Sequence, residues 1–347
     1  MEATPQQLKA LPPPLLAWYD ENRRVLPWRE QVSPYRTWVS EIMLQQTRVT
    51  AVLPYFDRFM AALPTVAALA DAPEQQLMSL WQGLGYYSRA RNLQKAAQVI
   101  MTRLSGVFPA TYEGLTALPG VGDYTAGAIA SIAFGQPVPA VDGNVLRLAA
   151  RLTGCDDNVL EPKTRARFRC WMAEVIPSDR PGAFNQALMD LGAMVCLPNG
   201  APLCEQCPAR TFCTACEKGL QRQLPVREKK TARRVEQSTV FLLRQEDAIA
   251  LRQRPATGLL AGLWEFPNVP GALTERQAAE QLAKWGLVPH QWGKSFTDKH
   301  VFTHITWEMT VFTITVQGAG PPEWVWCPDE EREKYPMPTA FGKLEKE

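Results

Sequence analysis

The chain lacks any apolar run approaching the length of a bilayer span, and its N-terminus lacks the basic-then-apolar pattern of a secretory leader. Neither a membrane partner nor export is expected; the expected compartment is the cytoplasm. A strong charge of either sign is also missing. The 37 Lys and Arg against 35 Asp and Glu leave only +2, which excludes a polycation that clings to acidic polymers by bulk attraction. Any nucleic-acid contact must then come from local patches. What is present is apolar material, 46% of 347 residues, enough to bury a substantial core in two domains. Eight cysteines in a cytosolic chain argue for a metal centre rather than disulfides.

The organising stretch runs from Leu118 to Asn144. Pro119, Gly120 and Gly122 break regular structure, and the Ala- and Ile-rich run Thr125 to Phe134 predicts a packed helix closed by Gly135. Two glycines before a helix N-terminus leave free N–H groups aimed at an anion, a geometry that suits a phosphate backbone. Asp142 precedes the apolar run Val145 to Ala149 and is expected to cap it, holding a carboxylate at a fixed place. Each feature alone also reads as a plain helical turn and a plain cap.

Apolar positions from Val39 to Phe56 recur at three- and four-residue steps, a helical pattern interrupted by Gln45, Gln46 and Thr47. Glu41 lies among Trp38, Ile42 and Leu44, where desolvation favours the neutral carboxyl that a general acid requires; the alternative is the polar edge of a surface helix. Two loops pair aromatics with arginine. In Arg23 to Arg29, Pro27 is expected to stop the preceding helix, and Trp28 either caps a core edge or stacks on a base. In Gly83 to Arg91, Tyr86 and Tyr87 either fill space between helices or intercalate. Residues 1–17 read as a proline-rich lead-in.

Two more helices are expected within 160–195, before Cys196, Cys204, Cys207, Cys213 and Cys216. The Cys204/Cys207 and Cys213/Cys216 pairs have zinc-knuckle spacing, whereas Cys196, Cys204, Cys207 and Cys213 form a second possible set of four, spaced C-x7-C-x2-C-x5-C. Cys155, Cys170 and Cys327 read as packing. The stretch 217–236 is polar and basic, an expected linker. Beyond it the texture turns to short β-rich runs, Ser238 to Leu243, Ala248 to Arg252, Val301 to Trp307 and Thr310 to Val316, with one helix from Glu275 to Lys284.

Leu118-Pro-Gly-Val-Gly122 followed by Val141-Asp-Gly-Asn144, with Ser40 to Thr47 as Ser-Glu-Ile-Met-Leu-Gln-Gln-Thr, resembles the helix-hairpin-helix base-excision glycosylases, most closely their adenine-specific (MutY) branch, from about Trp18 to the C-terminus. The resemblance implies an all-α helix-hairpin-helix glycosylase domain (1–216) with a [4Fe–4S] loop at about 196–213, then a Nudix-like α/β domain (237–347): a multi-domain α plus α+β chain. It implies Glu41 as catalytic acid, Asp142 as stabiliser of the sugar cation, and Tyr124 and Asn144 as their supports. DNA-contacting positions would be Arg24, Trp28, Arg29, Leu44, Gln46 (pushed into the duplex), Leu84, Tyr86, Gly120, Gly122 and Gln186. Cys196, Cys204, Cys207 and Cys213 would hold the cluster, with one extra residue between the first two and Cys216 spare. Lyase relatives carry lysine where Tyr124 stands, so a monofunctional enzyme is implied. The C-terminal domain has Ala283 and Lys284 where Nudix hydrolases carry metal-binding glutamates, so a reader of 8-oxoguanine through Phe302, Thr303 and His304 is implied, with Thr for the family's Ser. The implied partner is duplex DNA with adenine opposite 8-oxoguanine or guanine, met by a monomer. A bifunctional pyrimidine glycosylase/lyase like endonuclease III and a non-catalytic lesion-binding module are the competing readings.

Overall fold

A computed structural model describes residues 3–228, 233–302 and 304–346. It divides into two compact units, Met1–Asp71 with Asn92–Lys229, and Ala72–Arg91 with Lys230–Glu347.

The first unit is helical. Pro12–Asn22 begins with a proline at its first position, where a missing N–H costs nothing, and Leu8, Leu11 and Leu15 are fully buried against the later helices Gly143–Thr153, Pro162–Val175 and Pro181–Met194. The N-terminal segment is therefore core, not the lead-in its prolines imply. Pro27 likewise does not end a helix: the preceding one stops at Asn22, and Pro27 opens a single turn, Pro27–Glu30. The helices Pro34–Leu44 and Val49–Ala62 flank the polar break at residues 45–48. Tyr112–Thr116, the Leu118 to Gly122 turn and Asp123–Phe134 form the expected hairpin, closed by Gly135 in the left-handed conformation (φ 67°). Gly120 also requires glycine, since its φ is +74° and a Cβ there would stand 2.5 Å from Asn92 Cβ. The central helix Asp123–Phe134 is lined by small residues. A Cβ on its Gly127 would stand 2.4 Å from the Pro139 carbonyl, so neighbouring backbone approaches to contact.

The expected linker is shorter than its composition implies. Leu224 O accepts from Arg151 Nε (3.0 Å) and Val226 O from Val159 N–H (3.0 Å), tying residues before 228 to the helical unit. Strand pairing has already begun at Arg234.

The second unit is built on a seven-stranded sheet: β1 (Arg234–Gln245), β2 (Ala248–Gln253), β3 (Trp264–Glu265), β4 (Asn268–Pro270), β5 (Val288–Val301), β6 (Ile305–Gln317) and β7 (Trp324–Pro328). The main order is β3-β2-β1-β6-β5, with β1 and β6 parallel (Val240 beside Val311) and the other pairs antiparallel. Period-two alternation splits the side chains between two cores. Val240, Leu242, Met309 and Val311 face Phe341 and Leu344, while Phe241, Leu243, Phe312 and Ile314 face Ala278 and Leu282 of the helix Glu275–Lys284. The run Val301 to Trp307 is not one strand: it takes in the end of β5 and the start of β6, with Phe302 N–H donating to Ile305 O (2.8 Å). Ala72–Arg91 contributes the helix Glu74–Trp81, and Gln75 Nε2 donates to Lys334 O (2.6 Å).

Candidate active site

Glu41, three residues before the end of its helix, has a side chain almost wholly removed from water (4% exposed). Its Oε2 accepts from the Tyr124 hydroxyl at 2.5 Å, and Tyr124 OH also lies 3.7 Å from Met189 Sδ. Burial is the main cause that lifts the Glu41 carboxyl from its usual 4.5 to about 7; the Tyr124 bond and the Arg29 charge oppose it, and the Asp142 charge adds to it. The two carboxyls therefore sense each other although a hundred residues of chain separate them. Tyr124 is held well above its usual value by burial, then by both carboxylates.

Asp142 caps Gly143–Thr153 as expected. Its Oδ1 accepts from the Asn144 and Val145 N–H groups, both at 2.8 Å, and its Oδ2 accepts from Asn144 Nδ2 at 2.8 Å. Burial pushes this carboxyl up while these bonds pull it down. Every rotamer freedom of Asp142 is thus consumed by its own helix. Asn144 Oδ1 accepts from Arg147 Nη2 (2.9 Å), whose Nε donates to Cys196 O (2.9 Å), so one helix face joins the carboxylate to the cysteine loop.

A residue that sequence reasoning missed organises the arginines whose charge reaches Glu41. Asp190 is fully buried and binds Arg29 through both oxygens (2.7 and 3.0 Å) and Arg24 through its Nε (2.8 Å) and backbone N–H (3.2 Å). Burial alone would raise its carboxyl; the two guanidiniums bring it below the usual range. Arg29, so anchored, is the cation whose field reaches Glu41. The only sequence signal for Asp190 was a lone acid among Ala187, Leu188 and Leu191.

Gln186 takes the Tyr19 hydroxyl at 3.2 Å. Trp28 is buried edge-on to Phe56 (centroids 5.1 Å apart), the core-edge alternative. Leu44 is half-buried and Gln46 exposed, the latter with a left-handed backbone (φ 59°) that a non-glycine residue adopts only when its surroundings hold it there. In the second unit, Tyr86 shares that feature (φ 49°) and is 46% exposed with Arg89 5.6 Å over its ring, whereas Leu84 and Tyr87 are buried. Phe302 lies tilted against His300 (4.6 Å) and edge-on to Trp307 (4.8 Å), and His304 is exposed; Thr303 lies outside the described residues. Gly122 has open space where a Cβ would stand.

Cys196, Cys204, Cys207, Cys213 and Cys216 line one cavity with Leu148, Leu152, Val195 and Pro202. Burial pushes the Cys207 thiol up to about 12 and raises Cys204 and Cys213, so a cation is needed to draw these thiolates out. Among the described residues no three His, Cys, Asp or Glu side chains close around a single ion. Five cysteines around one cavity, which Arg151, Arg210 and Gln221 also line, are enough donors for a four-cysteine centre. Arg151 Nη1 donates to Cys196 Sγ at 3.2 Å. Cys327 is buried and Cys155 half-buried, but Cys170 is exposed, against its expected place in the packing.

Residues 39–174 match the family model of the HhH-GPD superfamily base excision DNA repair proteins, and residues 239–347 match that of the NUDIX domain. A solved thermostable thymine-DNA glycosylase superposes with a TM-score of 0.55 at 26% identity, over 62% of this chain and 100% of its own. An endonuclease III trapped as a covalent intermediate on DNA gives 0.53 at 25%, over 63% and 100%. Fold and site thus define a base-excision DNA glycosylase carrying a Nudix-like domain. The human adenine DNA glycosylase is 37% identical over 95% of this chain and 72% of its own length, and that of mouse 36% over 95% and 76%. The chain belongs to the adenine DNA glycosylase family.

Proposed function

We propose that this protein removes adenine paired with 8-oxoguanine, or with guanine, from duplex DNA by hydrolysing the N-glycosidic bond, without a lyase step. The observation that carries the reading is the buried, proton-retaining Glu41 lying within electrostatic reach of the cap-locked Asp142. Adenine leaves only when protonated, and a carboxyl lifted to about 7 still holds its proton near neutrality. The extruded base receives that proton from Glu41 on its imidazole ring. The sugar then develops positive charge, which the Asp142 carboxylate, deprived of rotation by Asn144 and Val145, meets from the opposite face, the two-carboxylate logic of glycosidases. Tyr124 and Asn144 hold the two acids in place, and Arg24, Trp28, Arg29, Leu44 and Gln186 wall the base pocket. Gln46, Leu84 and Tyr86 serve the opened duplex, Gly120 and Gly122 its phosphates, and Phe302, Thr303 and His304 the 8-oxoguanine. Position 124 offers a phenol where a Schiff base needs an amine, which disfavours the endonuclease III-like lyase. A purely binding module has no use for a buried carboxyl that keeps its proton near neutrality, which favours the enzymatic reading.

Cys196, Cys204, Cys207 and Cys213 would hold a [4Fe–4S] cluster, which when bound clamps the loop that Arg147 and Arg151 tie to the Asp142 helix. The protein is taken to act as a cytoplasmic monomer. The test is an oligonucleotide duplex with adenine opposite 8-oxoguanine, incubated with enzyme and split before alkali. Base loss with strand scission only in the alkali-treated half is expected; scission without alkali overturns the monofunctional reading, and no base loss overturns the glycosylase reading.

A further inference from the structure

Tyr86 and Phe302 lie far apart along the chain but in the same compact unit, and an unbroken run of side-chain contacts joins them. At the Tyr86 end the turn is held by its own neighbours. Arg89 Nη2 donates to Leu84 O and Gly85 O, both at 3.0 Å, and Trp81 Nε1 donates to Gly85 O at 3.2 Å. Arg91 follows one helical step later, its N–H donating to Tyr87 O at 3.2 Å. Its guanidinium, 21% exposed, donates through Nη2 to Ala261 O and through Nε to Glu74 Oε1 at 2.8 Å. A Cβ on Gly262 would stand 2.9 Å from that Nη2, so Arg91 fits there because a glycine faces it. The receiving loop is fixed in turn. Gly262 N–H donates to Pro255 O (2.9 Å), Gln253 Nε2 to Gly262 O (3.0 Å) and Arg254 Nε to Leu259 O (3.0 Å). Arg254, paired with buried Glu265, covers the Trp307 ring at 5.4 Å, and Trp307 lies edge-on to Phe302 at 4.8 Å.

We propose that Arg91 is a positioning residue that keeps the Tyr86 turn and the Phe302–Trp307 aromatic pair in one register, and so sets the preference for 8-oxoguanine over guanine opposite adenine; this rests on the adenine-glycosylase reading above. With Tyr86 in the opened duplex and Phe302 at the 8-oxoguanine, both are engaged at once only if their separation matches the DNA. Fixing that separation in advance spares the complex the cost of ordering it. Plain guanine lacks the 8-oxo group, so a loosened register costs that duplex little. Glu74 is 61% exposed, so truncating Arg91 strands no buried charge. Contiguous contacts do not by themselves establish coupling; a double-mutant cycle does.

The test uses the full-length enzyme, with single-turnover excision at saturating DNA measured on duplexes carrying adenine opposite 8-oxoguanine or opposite guanine, and circular dichroism confirming the fold. Arg91→Ala is expected to slow the 8-oxoguanine duplex by about tenfold and the guanine duplex by less than about twofold. Arg91→Lys keeps a donor for the Ala261 carbonyl and should stay within about threefold of wild type on both. In a Phe302→Ala background, Arg91→Ala should change the ratio of the two rates by less than about twofold, because the register then has nothing to place. Equal slowing of both duplexes, an unchanged ratio in Arg91→Ala, Arg91→Lys no better than Arg91→Ala, or an undiminished loss in the Phe302→Ala background overturns the positioning role. Wild-type protein that excises from neither duplex, or from both at one rate, overturns instead the reading on which it rests.

Discussion

Each unit buries a glutamate, and the two are treated in opposite ways. Glu265 in β3 is 1% exposed and grips Arg252 at 2.9 Å and Arg254 besides, while Arg252 reaches on to Asn268 (2.9 Å) and Arg254 covers the Trp307 ring (5.4 Å). Glu41 is buried as deeply but meets a phenol, with the nearest guanidinium committed to Asp190. A buried carboxylate matched by two arginines spends its oxygens on ion pairs and serves as scaffold. One left with a neutral donor keeps its proton and can give it away. Asp190 repeats the scaffold pattern inside the helical unit, so the contrast belongs to the site rather than to the fold.

The largest effect that would break this contrast is expected from Glu41→Gln: single-turnover excision should fall by about 10²–10⁴-fold while gel-shift affinity for the lesion duplex is kept. Normal turnover by that variant would remove Glu41 from the chemistry. Next come the scaffold acids. Asp190→Asn and Glu265→Gln should each cost about 3–5 kcal/mol in urea unfolding, because each strands two arginines. Only Asp190→Asn should also slow excision at saturating DNA, by about tenfold or more, since Arg29 then loses its anchor. Equal slowing by both would erase the distinction.

A third effect is thermodynamic. With its carboxyl raised to about 7 in the fold against 4.5 unfolded, Glu41 contributes stability that is fully present below 4.5 and is lost as pH rises through 7. Glu41→Gln should therefore be more stable than wild type above pH 7, by about 2–3 kcal/mol, and gain nothing near pH 4 in paired chemical melts. Smallest is Tyr124→Phe. Its lost hydrogen bond removes a cause that lowers the Glu41 pKa, so the alkaline limb of the rate profile should move up by less than about one pH unit. A downward shift would contradict the assigned role.

What the sequence disclosed follows from the range of the interactions involved. The Asp142 cap and the Gly135 stop were legible because a helix end satisfies its polar groups with residues two or three positions away. The sheet's two hydrophobic faces were legible in part. β1 and β6 showed as runs rich in β-branched and aromatic residues, but β5 escaped because Lys294, Ser295, Thr297 and Lys299 give it a largely exposed, polar texture. Pro27 was misjudged since the same ring that stops a helix also starts one. Asp190 was invisible because its partners, Arg24 and Arg29, lie more than 160 residues away along the chain. The cysteine loop was legible as a cluster because its members are close in sequence, and the structure sets Cys196, Cys204, Cys207, Cys213 and Cys216 around one cavity.

The most direct measurement is the pH dependence of the single-turnover excision rate on adenine opposite 8-oxoguanine. If a proton kept by buried Glu41 is what releases the base, the rate constant should hold below about pH 7 and drop roughly tenfold for each further unit, with the limb absent in Glu41→Gln. A profile flat from pH 6 to 9 in wild type would contradict it.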